Sequence, residues 1–182
     1  MPAELNADET VLAIDPGNFA TAYVLLSGDR KILAFDKVDN FTLRERLHNM
    51  MNAENCGNCM RVPTKVAIEQ VASYGIAVGA SVFDTCTWIG RYLEICYGLT
   101  TVEQVVRLEV KLAICRSPKA NDASIRAALV DLYGAPGTKK NPGPTYGISK
   151  DVWAALALAE TVRSGEYRPY VPVHERDTSV KA

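Results

Sequence analysis

The chain contains the stretch Val11-Leu-Ala-Ile-Asp15-Pro-Gly17-Asn18, an apolar run that ends on a carboxylate and then turns. The apolar part predicts a short buried strand bounded by turn residues. The Pro-Gly pair supplies the fixed and the permissive φ angles that a tight turn uses. The strand resumes at Ala20–Leu26, so the stretch predicts a hairpin with Asp15 at its mouth. Asp15 is therefore a candidate site residue, although capping the turn is an equally good role for it.

Strand and helix patterns alternate along the rest of the chain. Short apolar runs predict strands at Lys31–Asp36, Lys65–Glu69 and Gln104–Leu108. Apolar residues at helical spacing predict helices at Phe41–Met51, Gly79–Gly98, Asn121–Tyr133 and Lys150–Arg163. The Gly- and Pro-rich segment Gly134–Gly147 predicts a mobile loop. An initial meander followed by alternating strands and helices indicates an α/β protein with a mixed sheet.

Length and charge limit what the protein can be. A chain of 182 residues, 48% of them hydrophobic, fits one compact domain, which we place at residues 1–163, with an extended or disordered tail at 164–182. The formal net charge of −1 provides no global field toward nucleic acid, so any such binding needs a local basic patch. The first ten residues are polar and acidic, and no apolar run is long enough to cross a bilayer. These features predict a cytoplasmic protein.

Five cysteines, an odd number, favour reduced thiols over a disulfide framework. Only Cys56 and Cys59 have the spacing of metal ligands. A zinc site would need two further Cys or His ligands. Metal or redox chemistry at this pair is therefore not the favoured interpretation.

Three carboxylates come from three separate predicted elements: Asp15 and Glu69 end strands, and Asp151 begins the last helix. Two-metal hydrolysis of phosphodiesters requires hard oxygen ligands of this kind. Asp151 could also be explained by the preference for Asp in a first helical turn. Glu69 is harder to explain without a partner, since burial of an unpaired carboxylate is unfavourable.

The order of three motifs resembles the RuvC family of Holliday junction resolvases, within the RNase H-like superfamily. The motifs are Ala13-Ile-Asp15-Pro-Gly17, Val66-Ala-Ile-Glu69-Gln-Val71 and Asp151-Val-Trp-Ala-Ala-Leu-Ala-Leu-Ala159. The segments Ala80–Gly90 and Arg107-Leu-Glu-Val-Lys111 extend the resemblance, which reaches to about Arg163. The resemblance implies an RNase H-like mixed sheet, an antiparallel β-meander plus parallel strands, flanked by helices.

The same resemblance implies a homodimeric endonuclease that uses Mg²⁺ or Mn²⁺ to nick four-way DNA junctions symmetrically. Asp15 would bridge two metals, and Glu69 and Asp151 would complete the site. Members of the family commonly carry a further acidic or His residue one turn after the position of Asp151, where this chain has Ala154. The protein would work in the bacterial cytosol or in a phage-infected host.

Contacts with DNA are expected from basic and aromatic side chains. Family members place an aromatic residue shortly after the glutamate; here Ala72 occupies that place and Tyr74 follows. Tyr74 could stack on an unpaired base, or could be an ordinary, partly buried tyrosine. Lys111 matches the family's lysine and is expected to close a strand near the scissile phosphate, which also makes it a candidate catalytic residue. The remaining candidate phosphate contacts are Arg107, Arg116, Lys119, Arg126, Lys139 and Lys140.

Other functions remain open at this point. A noncatalytic module that binds DNA junctions or proteins would keep the fold, and Ala154 gives that alternative some support. An RNase H-like nuclease that acts on RNA or other branched DNA is a further alternative, since a fold does not fix a substrate. An actin-like or sugar-kinase ATPase would need a second subdomain, for which this chain is too short. Apolar residues on several faces of Gly79–Gly98 suit either a dimer interface or a core.

Overall fold

The computed structural model describes residues 1–52, 62–72, 75 and 77–171. Its strands are β1 (Thr10–Asp15), β2 (Ala20–Ser27), β3 (Ile32–Asp39), β4 (Lys65–Gln70) and β5 (Thr101–Val106). Its helices are α1 (Asn40–Met51), α2 (Ala80–Cys96), α3 (Arg107–Cys115), α4 (Asp122–Tyr133) and α5 (Lys150–Ser164). None of the described helices is long and apolar enough to cross a membrane.

One five-stranded sheet organises the described chain, with strand order β3-β2-β1-β4-β5. The first three strands form the predicted antiparallel meander, and β4 and β5 run parallel to β1. The central strand β1 is therefore flanked by an antiparallel neighbour on one side and a parallel neighbour on the other. The prediction of a mixed α/β sheet is confirmed.

Alternation along the strands separates two layers of core. Val11 and Ala13 on β1, with Ala67 on β4, pack in the layer that contains most of α5. Leu12 and Ile14 face the other way, into the layer that contains the buried residues of α1 and α2. Because successive side chains point to opposite faces, Asp15 belongs to the α5 face together with Val11 and Ala13.

The turn after Asp15 is held from the opposite face of the sheet. The Asn40 side chain, 2% exposed, donates from Nδ2 to the carbonyl oxygens of Gly17 (2.9 Å) and Asn18 (3.1 Å). Thr21 Oγ1 donates to Asn40 Oδ1 at 2.7 Å and lies 3.1 Å from the hydroxyl of Tyr92 on α2. Gly17 is needed for close approach, since a Cβ there would lie 2.4 Å from the Ala20 carbonyl oxygen. Its φ is not positive, so our prediction of a permissive φ at Gly17 is wrong.

A buried ionic cluster ties α5 to the start of the chain. Arg163, 3% exposed, donates from Nε to Glu160 Oε2 at 2.8 Å and from Nη2 to Glu160 Oε1 at 2.9 Å. Tyr133 donates its hydroxyl to Glu160 at 2.7 Å, and Arg163 Nη1 reaches Glu4 at 2.8 Å. A buried arginine and glutamate thus satisfy one another inside the α5 layer.

Three segments differ from the sequence-based predictions. The strand predicted to end at Leu108 ends at Val106, so Lys111 lies within α3 rather than closing a strand. The segment predicted as a mobile loop contains a bridge between Gly137 and Pro142, and its Thr145 is fully buried. Past α5, Tyr167 is buried, so this first part of the predicted tail packs against the domain.

Candidate functional site

The three candidate carboxylates converge on one cavity of about 550 Å³. Ile14 on β1 pairs in parallel register with Ile68 on β4. One residue further along, Asp15 and Glu69 therefore emerge side by side on the α5 face. Asp151, in the first turn of α5, lines the same cavity. Because the three carboxylates come from three elements, a single site is assembled only when the sheet and α5 pack together.

Lys37 neutralises Asp151. Asp15 pairs with Ala22 across β1 and β2, and Ala22 pairs with Lys37 across β2 and β3, so the three form one row on the sheet. The Lys37 ammonium makes an ion pair with Asp151 Oδ2. Ala22 lies between Asp15 and Lys37, and its small side chain leaves space above the sheet for Asp151 to reach Lys37. Both partners are more than 40% exposed, at 44% and 43%, so this pair is easily broken.

Arg107 neutralises Glu69. Its Nη1 lies 3.3 Å from Glu69 Oε2, and its Nη2 lies 2.7 Å from Asp122 Oδ1 at the start of α4. The guanidinium is 27% exposed. Arg107 thus joins the end of β4 to α4 across the cavity, at the first residue of α3.

Asp15 has a different environment, because none of the described residues donates a hydrogen bond to its carboxylate. Burial, followed by repulsion from Glu69, raises the pKa of Asp15 from 3.8 to about 7, although Arg107 acts in the opposite direction. Burial also raises the pKa of Glu69, against the lowering effect of Arg107. Asp15 thus lacks a hydrogen-bond donor and lies near two further carboxylates, Glu69 and Asp151. A bound cation would stabilise the ionised form of such a group.

The donor chemistry suits a hard divalent ion, since the site offers carboxylate oxygens without Cys or His. In the described part of the chain, no three Asp, Glu, His or Cys side chains are grouped as they stand to hold one ion. The ion pairs explain this, because Asp151 is turned toward Lys37 and Glu69 toward Arg107. Residues of the right type therefore line the cavity, with two of them paired to internal cations.

The remaining wall of the cavity carries two basic side chains and a tryptophan among aliphatic residues. Arg126 lies over the ring of Trp153, with its guanidinium carbon 5.4 Å from the ring centroid. Lys150 contributes a further cation. Ala154 also lies on this wall, so the position where the resemblance expects another ligand faces the site without a donor atom.

The other predicted DNA-binding residues that the structure describes do not line this cavity. Lys111 lies on α3, and its charge lowers the pKa of Glu69. Arg116 pairs with Glu166 and lines a different hollow, together with Glu160 and Arg163. Exposed lysines occur at 119, 139 and 140. Tyr74 falls outside the described residues, as do Cys56 and Cys59. Of the predicted contacts, Arg107 and Arg126 are the ones that share the cavity with the carboxylates.

Sequence reasoning missed Lys37 and Asp122. Lys37 gave no local signal, because its partner Asp151 lies on the last helix and only the strand register brings the two together. Asp122 has the sequence signature of a helix start, which concealed its ion pair with Arg107. Both residues act as counter-charges to predicted site residues.

A mixed five-stranded sheet in this order, flanked by helices, is an RNase H-like α/β fold. Within that fold, the chain is similar to RuvC structures. The structure of Thermus thermophilus RuvC in complex with a Holliday junction substrate matches with a TM-score of 0.67 at 15% identity, covering 89% of this chain and 99% of that one. A second Thermus thermophilus RuvC structure gives 0.62 at 19% identity, over 88% and 99%. No family model and no curated protein sequence matches.

The raised pKa of Asp15 predicts how the stability of the metal-free protein depends on pH. Between pH 4 and pH 7 the folded state keeps a proton that the unfolded state has lost, so the free energy of unfolding should fall as pH rises. The effect should reach a few kcal/mol, at about 1.4 kcal/mol per pKa unit. Asp15→Asn removes this contribution and should therefore stabilise the protein more at pH 8 than at pH 5.

Urea denaturation with chelator present, at pH 5 and pH 8, measures both effects. An equal change in stability at the two pH values would show that Asp15 titrates normally.

Proposed function

We propose that this protein is a metal-dependent endonuclease that nicks four-way DNA junctions symmetrically. The observation that supports this most directly is the convergence of Asp15, Glu69 and Asp151 on one cavity within a RuvC-like fold. The Thermus thermophilus relative bound to a Holliday junction supplies the substrate class. Such DNA would be met in the bacterial cytosol or in a phage-infected host.

In this proposal Asp15, Glu69 and Asp151 hold Mg²⁺ or Mn²⁺. A divalent ion would supply Lewis acidity toward the phosphate and lower the pKa of water. Asp15 is half-buried and receives no hydrogen bond from the described residues, so its carboxylate oxygens are available to the cation. Lys37 is exposed enough to leave Asp151 when the ion binds.

The basic wall would position the DNA backbone. Arg126 is oriented by Trp153 and can bind a phosphate oxygen at the cavity edge. Lys111 on α3, near Glu69, would contact phosphate next to the site and contribute to catalysis. Lys119, Lys139 and Lys140 are exposed, and with Arg116 they would follow the junction arms. Tyr74 would contact a base.

We propose that the working unit is a homodimer. Symmetric cleavage of a four-way junction requires two active sites related by a two-fold axis. The layer formed by α1 and α2 exposes large aromatic side chains, with Phe41 at 66% and Phe83 at 64%. Burial of these rings against a second copy would stabilise the dimer.

A noncatalytic junction-binding module, or a nuclease for other branched DNA or RNA, is the second candidate. The position of Ala154 on the cavity wall favours the noncatalytic alternative, because a donor is missing where the resemblance expects one. This alternative keeps the basic residues and the fold but not the reaction.

The decisive experiment is nicking of a labelled four-way junction beside a flap, an RNA–DNA hybrid and a linear duplex. We expect paired symmetric nicks in the junction with Mg²⁺ or Mn²⁺, none with chelator, and a light-scattering mass of two chains. Tight binding without cleavage in either metal would favour the noncatalytic module. Preferential cleavage of the flap or the hybrid would replace the junction as the substrate.

A further inference from the structure

The guanidinium of Arg107 stands inside the carboxylate site. Asp15, Glu69 and Arg107 line both the main cavity and an adjoining hollow of about 210 Å³, so Arg107 lies with the two carboxylates at the boundary between the two spaces. It is the partner of Glu69 at 3.3 Å and of Asp122 at 2.7 Å. A positive charge thus lies on the Glu69 side of Asp15, while Asp151 closes the other side of the site.

The two internal cations differ in how firmly they are held. Lys37 is 44% exposed and has one carboxylate partner, Asp151. Arg107 is 27% exposed and has two carboxylate partners on different elements. A guanidinium held by two charge-assisted hydrogen bonds resists displacement better than an exposed ammonium held by one. An incoming cation would therefore displace Lys37 and leave Arg107 in place.

The formal charges of the cavity side chains disfavour a second ion. Four carboxylates line it, on Asp15, Glu69, Asp122 and Asp151, and they face the three cationic side chains of Arg107, Arg126 and Lys150. With Lys37 on Asp151 counted as a fourth cation, the set is neutral before any ion binds. Each divalent ion therefore adds two uncompensated positive charges, so a second ion is opposed more strongly than the first. Ala154 contributes no additional donor for a second ion.

We propose that the site binds one divalent cation, and that the guanidinium of Arg107 occupies the place of a second. This inference rests on the proposed function and departs from the two ions that the family resemblance implies. Asp15 and Asp151 would hold the ion, with Glu69 shared between the ion and Arg107. The fixed charge of Arg107 would serve the phosphate in every turnover without having to bind from solution.

The number of Mn²⁺ ions bound per chain tests the proposal without any measurement of activity. Electron paramagnetic resonance of free Mn²⁺ during a titration of the full chain gives this number. We expect one ion for the wild type and two for Arg107→Met, which removes the charge and keeps an apolar stem. Arg126→Met is the matched control, because Arg126 is a cation of the same cavity but lies over an aromatic ring and not between carboxylates. The Arg126→Met protein should still bind one ion.

Each outcome separates the inference from the proposed function. Two ions on the wild type, or one ion on both the wild type and Arg107→Met, would overturn the role of Arg107 and leave a metal-dependent nuclease intact. No ion on the wild type would overturn the proposed function itself. Circular dichroism verifies the fold of each variant. Arg107→Gln, which is neutral but keeps a hydrogen-bond donor, replaces Arg107→Met if that variant unfolds, with two ions again expected.

Discussion

Asp15→Asn should reduce metal-dependent nicking of a four-way junction by about three orders of magnitude, with little change in junction binding. In the proposed site, no described residue can replace Asp15 as a ligand of the ion. Its loss should therefore remove several kcal/mol of transition-state stabilisation, and each 1.36 kcal/mol is a factor of ten in rate. The amide is nearly isosteric, so the packing at the end of β1 is kept. Single-turnover cleavage and a binding titration in chelator measure the two effects separately.

Asp131→Asn is the matched control, because it makes the same chemical change on an exposed residue of α4 and should leave the rate unaltered. Since Asp15→Asn is expected to stabilise the metal-free protein at pH 8, unfolding would not account for lost activity. Retention of more than a tenth of the wild-type rate by Asp15→Asn would remove Asp15 from the site.

Arg163→Met should lower the free energy of unfolding by about 3–5 kcal/mol, because it removes the buried counter-charge of Glu160 and leaves that carboxylate with only the Tyr133 hydroxyl and the half-exposed Arg30. Glu160 is 4% exposed and receives two hydrogen bonds from Arg163, at 2.8 and 2.9 Å. The stem of the methionine fills much of the space, so loss of charge pairing dominates. Urea denaturation at pH 7 measures the change.

Arg30→Met provides the comparison, since Arg30 also pairs with Glu160, at 3.2 Å, but is 46% exposed. Its removal should cost at most about 1 kcal/mol, as for an exposed ion pair. Similar losses in the two variants would show that burial does not govern this cluster.

The sequence predicted the strands with strong alternation or continuous apolar character, and it failed where one element follows another without a boundary signal. The pattern Gln104–Leu108 continues across the junction of β5 and α3. Val106, at the N-cap of α3, makes no side-chain capping bond, so neither propensity nor capping marks the change. Asn121, by contrast, caps α4 by accepting from the Ser124 amide, and that helix start was predicted within one residue.

For the site, two strand ends and one helix start pointed to the three carboxylates, the family resemblance agreed with that choice, and the strand register then explained why Asp15 and Glu69 lie side by side. Neither source predicted the counter-charges. The partners of Glu69 and Asp151 are separated from them by 38 and 114 residues, so only the folded chain brings each pair together. Trp153 belongs to the buried face of α5, and Lys150 lies at the exposed start of the same helix, so the packing of α5 against the sheet sets the position of both.

Asn40 anchors the β1–β2 turn from the face of the sheet opposite the carboxylate cavity. The bonds that fix the backbone beyond Asp15 come from the α1 and α2 side, whereas the cationic side chains that line the cavity lie on α3, α4 and α5. Substitutions among those cavity residues can therefore accumulate without displacing Asp15. A fold arranged in this way can diverge widely in substrate preference while it keeps one reaction centre.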